Sequence, residues 1–179
     1  MEYLLSTNNL TKQYGRHKAV NAVNIHVRQG DIYGLIGRNG AGKTTLLKII
    51  SGLAAPTGGD FSLFEQSGKA AAPYMSRIGT LIEAPGVYPN MSAAENLKLK
   101  CLAMGVRKRE TIRELLTIVG LSDAKNKKVK NFSLGMKQRL GIALALVGNP
   151  DLVILDEPIN GLDPQGIAEV RETLFKLNK

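Results

Sequence analysis

The chain of 179 residues has no tryptophan, a single cysteine and few aromatic residues, 5% in all. One cysteine, Cys101, excludes a disulfide framework and any multi-cysteine metal site, and suits a reducing cytosol. No stretch of about 18 apolar residues occurs, so no segment is expected to span a bilayer as a helix. Met1 to Thr7 lack a basic segment followed by an apolar one, so no secretory signal is expected. What remains is 44% hydrophobic, with 19 Gly and 7 Pro, enough apolar matter for one domain with a real core and too much for a disordered chain.

Charge is unevenly spread. The net formal charge is +9, and Lys98 to Arg139 alone carries twelve basic and three acidic residues, so the rest of the chain is neutral. Such a stretch suits nucleic acid, an anionic membrane or an acidic partner, or is a solvated lysine-rich helical face. Phe132 is its single aromatic residue, which makes nucleic acid the weaker option because single strands are held by stacking.

Hydrophobic periodicity places the elements. Val23, Ile25 and Val27 alternate with Asn24 and His26 as in a half-buried strand, and Asp31 to Ile36 reads as a short buried strand. Leu46, Leu47, Ile49 and Ile50 suit a helix stopped at Ser51-Gly52, and strands are expected at Phe61–Phe64 and Ile78–Ile82. Ser92-Ala93-Ala94-Glu95 is a capping box that opens a helix. Ile112, Leu115, Leu116 and Val119 form a helical stripe ending at Gly120, and Met136, Leu140, Ala143, Leu144 and Val147 form a second, ended by Gly148-Asn149-Pro150. Leu152 to Leu155 is an apolar strand, and the last dozen residues read as a helix. The expected architecture is one α/β domain: a core sheet over about 1–83 and 148–179 with a helical subdomain inserted over about 84–147.

Three motifs carry chemistry. Gly37-Arg38-Asn39-Gly40-Ala41-Gly42-Lys43-Thr44, followed by Thr45, fits the P-loop pattern. Glycines let the backbone N–H groups at a helix start wrap a polyphosphate; Lys43 would reach the β- and γ-phosphates, and Thr44 would give Mg²⁺ a hydroxyl ligand. Asp156 and Glu157 end the apolar strand, where Asp156 would hold Mg²⁺ through water and Glu157 would orient or deprotonate a water. Between them, Ser133 is an N-cap candidate, and its hydroxyl and the Gly135 N–H suit an anion. Each alone also reads as an ordinary turn, strand end or helix cap.

In that order the three resemble the ATP-binding subunit of ATP-binding cassette (ABC) transporters, over essentially the whole chain. Ser133-Leu134-Gly135-Met136-Lys137-Gln138-Arg139 is most similar to bacterial bacitracin- and lantibiotic-type exporter ATPases. The resemblance implies a P-loop NTPase core sheet with an inserted helical subdomain, Tyr14 stacked on adenine, Asn160 to Asp163 as the loop after the base, and Glu83 facing Mg²⁺ where glutamine is usual. It implies Mg²⁺ and ATP, a second cassette closing head to tail so that Ser133 and Gly135 face the partner's ATP, and membrane permease subunits at the inner face of a bacterial plasma membrane. Antibiotic-peptide export or immunity is the implied task. The alternatives are a soluble ABC-type ATPase acting on ribosomes or nucleic acid, and a P-loop phosphotransferase. Family cassettes carry a switch histidine after a further strand, whereas His17 and His26 both precede the P-loop. The chain is therefore expected to be a C-terminally truncated cassette that binds nucleotide and hydrolyses it poorly.

Overall fold

The computed structural model describes residues 3–108 and 110–178. They group into two compact units, residues 3–78 with Asn178, and residues 79–177.

The first unit is built on an antiparallel sheet. Strand β1 (Leu5–Tyr14) pairs along one edge with β2 (His17–Val23) and β3 (His26–Val27), and along the other with β4 (Gly58–Leu63), which is flanked by β5 (Gln66–Ser67). The alternation expected over 23–27 is realised in burial, with Ile25 and Val27 inside, but the strand is interrupted at Asn24-Ile25. Buried Thr7 fills that gap: its Oγ1 donates to the Val23 carbonyl and accepts from the Ile25 N–H, both at 2.9 Å. Opposite, β4 begins earlier than expected because Gly58 and Gly59 continue it. A Cβ on Gly59 would lie 2.3 Å from the Asn9 carbonyl oxygen, so only glycine lets the two strands meet there. Helix α1 (Lys43–Ile50) buries Leu46, Ile49 and Ile50 and stops at Ser51 and Gly52, as its stripe requires.

One expected element is corrected. The segment Ile32–Ile36 is neither a strand nor buried: it joins no ladder, Ile32 and Tyr33 are exposed, and Ile36 is 97% exposed. An apolar run shows that a segment gains from burial, but a strand also needs a neighbouring backbone to bond to. Among the described residues no strand offers it one.

In the second unit, which starts within β6 (Ile78–Leu81), that strand pairs with β7 (Leu152–Leu155), and the described residues add four α-helices. Helix α2 (Ala93–Ala103) opens on the expected capping box: Ser92 Oγ accepts from the Glu95 N–H at 3.2 Å, and Glu95 Oε2 from the Ser92 N–H at 2.6 Å. Helix α3 (Glu110–Ile118) buries Leu115 and Leu116 and is closed by Gly120 at φ +63°, with the Leu121 N–H on the Leu116 carbonyl at 2.8 Å. Helix α4 (Leu134–Ala145) departs from its expected single stripe, since Gln138, Gly141, Ile142 and Ala145 are buried as well as Leu140 and Ala143. Gly141 is the reason one side can close: a Cβ there would lie 2.9 Å from Pro85. Helix α5 (Pro164–Leu177) starts with proline in the first turn and with Asp163 Oδ1 accepting from the Gly166 N–H at 2.9 Å. The core of this unit runs through Leu97, Cys101, Leu116, Val119, Leu140 and Val170. No helix among the described residues is long and apolar enough to cross a membrane.

Candidate functional site

The P-loop lies in the first unit, at the start of α1. Gly40 (φ +81°) and Gly42 (φ +90°) adopt the left-handed conformation, and Gly42 caps the helix with no side-chain acceptor. The first N–H groups of a helix have no partner within it, so Lys43, Thr44 and Thr45 open α1 with donors directed at the loop. Position 42 tolerates glycine alone, since a Cβ would lie 1.9 Å from the Ala19 carbonyl oxygen. The Lys43 ammonium folds back over the loop and donates to the Gly37 carbonyl at 2.8 Å and the Arg38 carbonyl at 3.2 Å. Main-chain donors, a helix N-terminus and a fixed cation thus converge on Gly37 to Thr45, the combination that binds polyphosphate. Arg38, Asn39, Gly40 and Ala41 are exposed, and the Ala41 N–H closes the turn on the Arg38 carbonyl at 3.1 Å. Tyr14, the last residue of β1, is 52% exposed beside the Gly15 turn, with Lys12 Nζ 5.0 Å from its ring centre.

The acidic residues lie in the second unit, just past β6 and β7. The Asp156 N–H donates to the Leu81 carbonyl at 2.8 Å, which extends the pairing by one residue and brings Glu83, Asp156 and Glu157 to neighbouring strand ends. Asp156 is only 6% exposed. Glu83 (φ +63°) and Glu157 (φ +46°) both hold the left-handed backbone conformation, unusual for residues with a Cβ and frequent where a side chain is aimed for function. Glu157 Oε2 accepts from Asn160 Nδ2 at 3.0 Å, and the Asn160 N–H returns to the Glu157 carbonyl at 3.0 Å. Among the described residues no group of three or more His, Cys, Asp or Glu side chains can hold a metal by itself. The hard oxygen donors of a threonine hydroxyl such as that of Thr44 and a carboxylate such as that of Asp156 are the chemistry that suits Mg²⁺, which takes one or two such groups from a protein.

Ser133 caps α4 in the same unit, its Oγ accepting from the Met136 N–H at 3.2 Å, as its sequence context predicts. Gly135 lies in the first turn against Leu162, and Leu134 against Gly161. The second unit therefore brings the first turn of α4, at Leu134 and Gly135, up to the loop that follows Glu157.

Sequence reasoning missed two supports. Asn160, seen only as part of a loop, holds the Glu157 carboxylate. Arg139 is turned inward from the basic stretch: its Nη1 donates to the Val119 and Gly120 carbonyls, each at 3.2 Å, and pairs with Glu169 at 3.3 Å. A charged residue in the middle of an apolar stripe, shortly after the Ser133 cap, was the available signal. The described basic residues from Lys98 to Lys130 are all exposed, as a solvated face would be.

The ABC transporter family profile matches residues 20–160. The bacitracin transport ATP-binding protein BcrA of Bacillus licheniformis is 50% identical over 180 residues, covering 100% of this chain and 59% of that protein. The lantibiotic transport ATP-binding protein SrtF of Streptococcus pyogenes is 46% identical over 171 residues, covering 96% of this chain and 73% of its own length. Among solved structures, a dimeric post-hydrolysis ATP-binding cassette bound to ADP and Pi superposes with a TM-score of 0.84 at 28% identity, covering 98% of this chain and 83% of that one. CbiO1 of Clostridium perfringens, part of the ABC transporter complex cbiONQ, gives 0.85 at 25% identity over 99% and 74%. The chain spans 59% of the length of BcrA, the first of these relatives.

Proposed function

The chain belongs to the ABC transporter family and has its α/β P-loop cassette fold, and from that premise we propose that it is the ATP-binding part of an exporter subunit that hydrolyses Mg·ATP. The observation that carries the reading is the P-loop itself: Lys43 is held on the Gly37 and Arg38 carbonyls at the open N-terminus of α1, a cation and a set of amides prepared for an anion. Gly37 to Thr45 bind the phosphates and Tyr14 stacks on the base. Thr44 would give Mg²⁺ a hydroxyl ligand, Asp156 would hold it through water and Glu83 would face it. When bound, the cation draws charge from the γ-phosphate and so eases its transfer to water. Glu157 orients that water and takes its proton, and Asn160 keeps the carboxylate from turning away.

Ser133 and Gly135 would bind the γ-phosphate of a second cassette, so that ATP is a clamp between two copies and hydrolysis opens it. The names of BcrA and SrtF, both transport ATP-binding proteins, favour permease subunits as the driven partner and an antibiotic peptide as the cargo, at the inner face of the membrane. They lend nothing to the ribosomal or nucleic-acid alternative. The proposed division of labour is a core over about 1–83 and 148–179 and a helical subdomain over about 84–147.

The test is size-exclusion chromatography of the intact subunit with ATP. Glu157→Gln keeps the nucleotide and removes the base, so a dimer that persists with Mg·ATP and dissociates with ADP is expected. A Glu157→Gln subunit that binds ATP and stays monomeric contradicts the clamp.

A further inference from the structure

Leu134 opens α4 and is 54% exposed, yet its side chain has a definite contact. A Cβ on Gly161 would meet Leu134 Cδ2 at 2.9 Å, and a Cβ on Gly135 would meet Leu162 Cδ2 at 3.6 Å. Two successive residues at the start of α4 thus interlock with two successive residues of the loop after Glu157. Gly161 has φ +72° and no side chain, which leaves room for the leucine. The same loop holds Glu157 through both Asn160 hydrogen bonds, at 3.0 Å each, and its far end is tied to α5 by the Asp163 cap at 2.9 Å. Glu157 sits at φ +46°, a conformation that persists only where its surroundings hold it.

We propose that Leu134 is a positioning residue: it braces the loop 160–162 so that the start of α4, where Ser133 and Gly135 lie, sets the orientation of the Glu157 carboxylate in the same chain. The catalytic consequence rests on the ATPase reading above, whereas the brace itself does not. With glycine at this position the loop loses its lateral stop, and the Asn160–Glu157 pair moves as a freer unit. Leu134 is not itself among the proposed ATP-binding residues, so substrate affinity changes little. The effect falls on kcat.

The experiment has two arms on the intact subunit. In steady-state ATP hydrolysis, Leu134→Gly lowers kcat roughly 3–10-fold with KM unchanged within about twofold, because the water-orienting carboxylate is misplaced. Leu134→Met, which keeps a side chain of similar reach, stays within about twofold of the parent. Gly161→Ala costs more in the parent than in the Leu134→Gly background, where the added methyl meets no leucine, and this non-additivity separates the contact from backbone strain. Equal kcat for Leu134→Gly and the parent, or additive losses at 134 and 161, overturns the proposal. In the second arm, amide exchange at Asn160 and Leu162 quickens about tenfold in Leu134→Gly without nucleotide, and unchanged exchange overturns the brace even in a subunit that hydrolyses nothing. A parent without hydrolysis but with the exchange difference removes the ATPase reading and keeps the brace.

Discussion

Asn160 donates through Nδ2 to Glu157 Oε2 at 3.0 Å, while Glu157 itself stands in the left-handed backbone region at φ +46°. A carboxylate held by a neighbour three residues on is poised for one orientation, and two losses follow from it. Glu157→Gln is expected to lower ATP turnover about 10²–10⁴-fold, the range for a lost general base, with ATP affinity retained. Asn160→Ala leaves the carboxylate in place without this hydrogen bond, and a smaller fall in kcat at constant KM is expected. Single-turnover and steady-state hydrolysis by the intact subunit measure both.

Gly42 is irreplaceable on two counts. An alanine Cβ would lie 1.9 Å from the Ala19 carbonyl oxygen, and φ +90° is strained for any residue that has a Cβ. Gly42→Ala is expected to cost more than the about 1–3 kcal/mol of backbone strain alone, because the loop must also move off β2. Gly40→Ala, at φ +81° with nothing within 4 Å of its Cβ, carries the strain without the collision. Urea denaturation of the two variants should rank Gly42→Ala well below Gly40→Ala.

Arg139 joins three elements: the end of α3 through the Val119 and Gly120 carbonyls, its own helix α4, and α5 through Glu169. The ion pair contributes little, since the Glu169 side chain is 38% exposed. The two carbonyls matter more, because α3 ends there and the last carbonyls of a helix have no partner within it. Arg139→Met is expected to cost about 2–3 kcal/mol from the charge-assisted bonds, and Glu169→Gln less than about 1 kcal/mol. Equal losses for the two in urea denaturation would contradict this order.

The capping box of α2 makes the helix start sensitive to acid. Hydrogen bonding from the Ser92 backbone and side chain, with Lys128 and Lys98 nearby, holds the Glu95 carboxyl below its ordinary value. A carboxyl lowered on folding stabilises the fold above its unfolded pKa, and the contribution is lost as pH falls through the folded pKa. Stability should therefore drop below about pH 4.5, and Glu95→Gln should flatten that part of the profile. Ser92→Ala removes the cap at every pH, at about 1 kcal/mol. Thermal melts between about pH 3 and 7, a range that brackets the ordinary carboxyl value, record all three curves.

Local signals carried much of this fold because local chemistry decides it. The Ser92–Glu95 box, the Leu115–Val119 stripe with Gly120 behind it and the Ser133 cap depend on neighbours within a few residues, and each stands where its residues imply. Ile32–Ile36 misleads because a strand is decided by a distant ladder, which apolar character cannot supply. The stripe read for α4 is too narrow because Gly141 looks neutral in sequence and becomes a contact surface only against Pro85. The same holds for the chemical groups. Lys43 and its loop are contiguous and legible, whereas the Leu134–Gly161 contact and the grip of Arg139 on α3 join segments about twenty to thirty residues apart.

The central claim is that main-chain amides at the start of α1 and the Lys43 ammonium bind the phosphates of Mg·ATP. Isothermal titration of the intact subunit with Mg·ATP, beside Lys43→Ala, tests it directly. Saturable binding by the parent and a loss of roughly 10–100-fold in the variant, the worth of a charged hydrogen bond to phosphate, is the expected result. Equal affinity of the two proteins, or no heat from either, would contradict it.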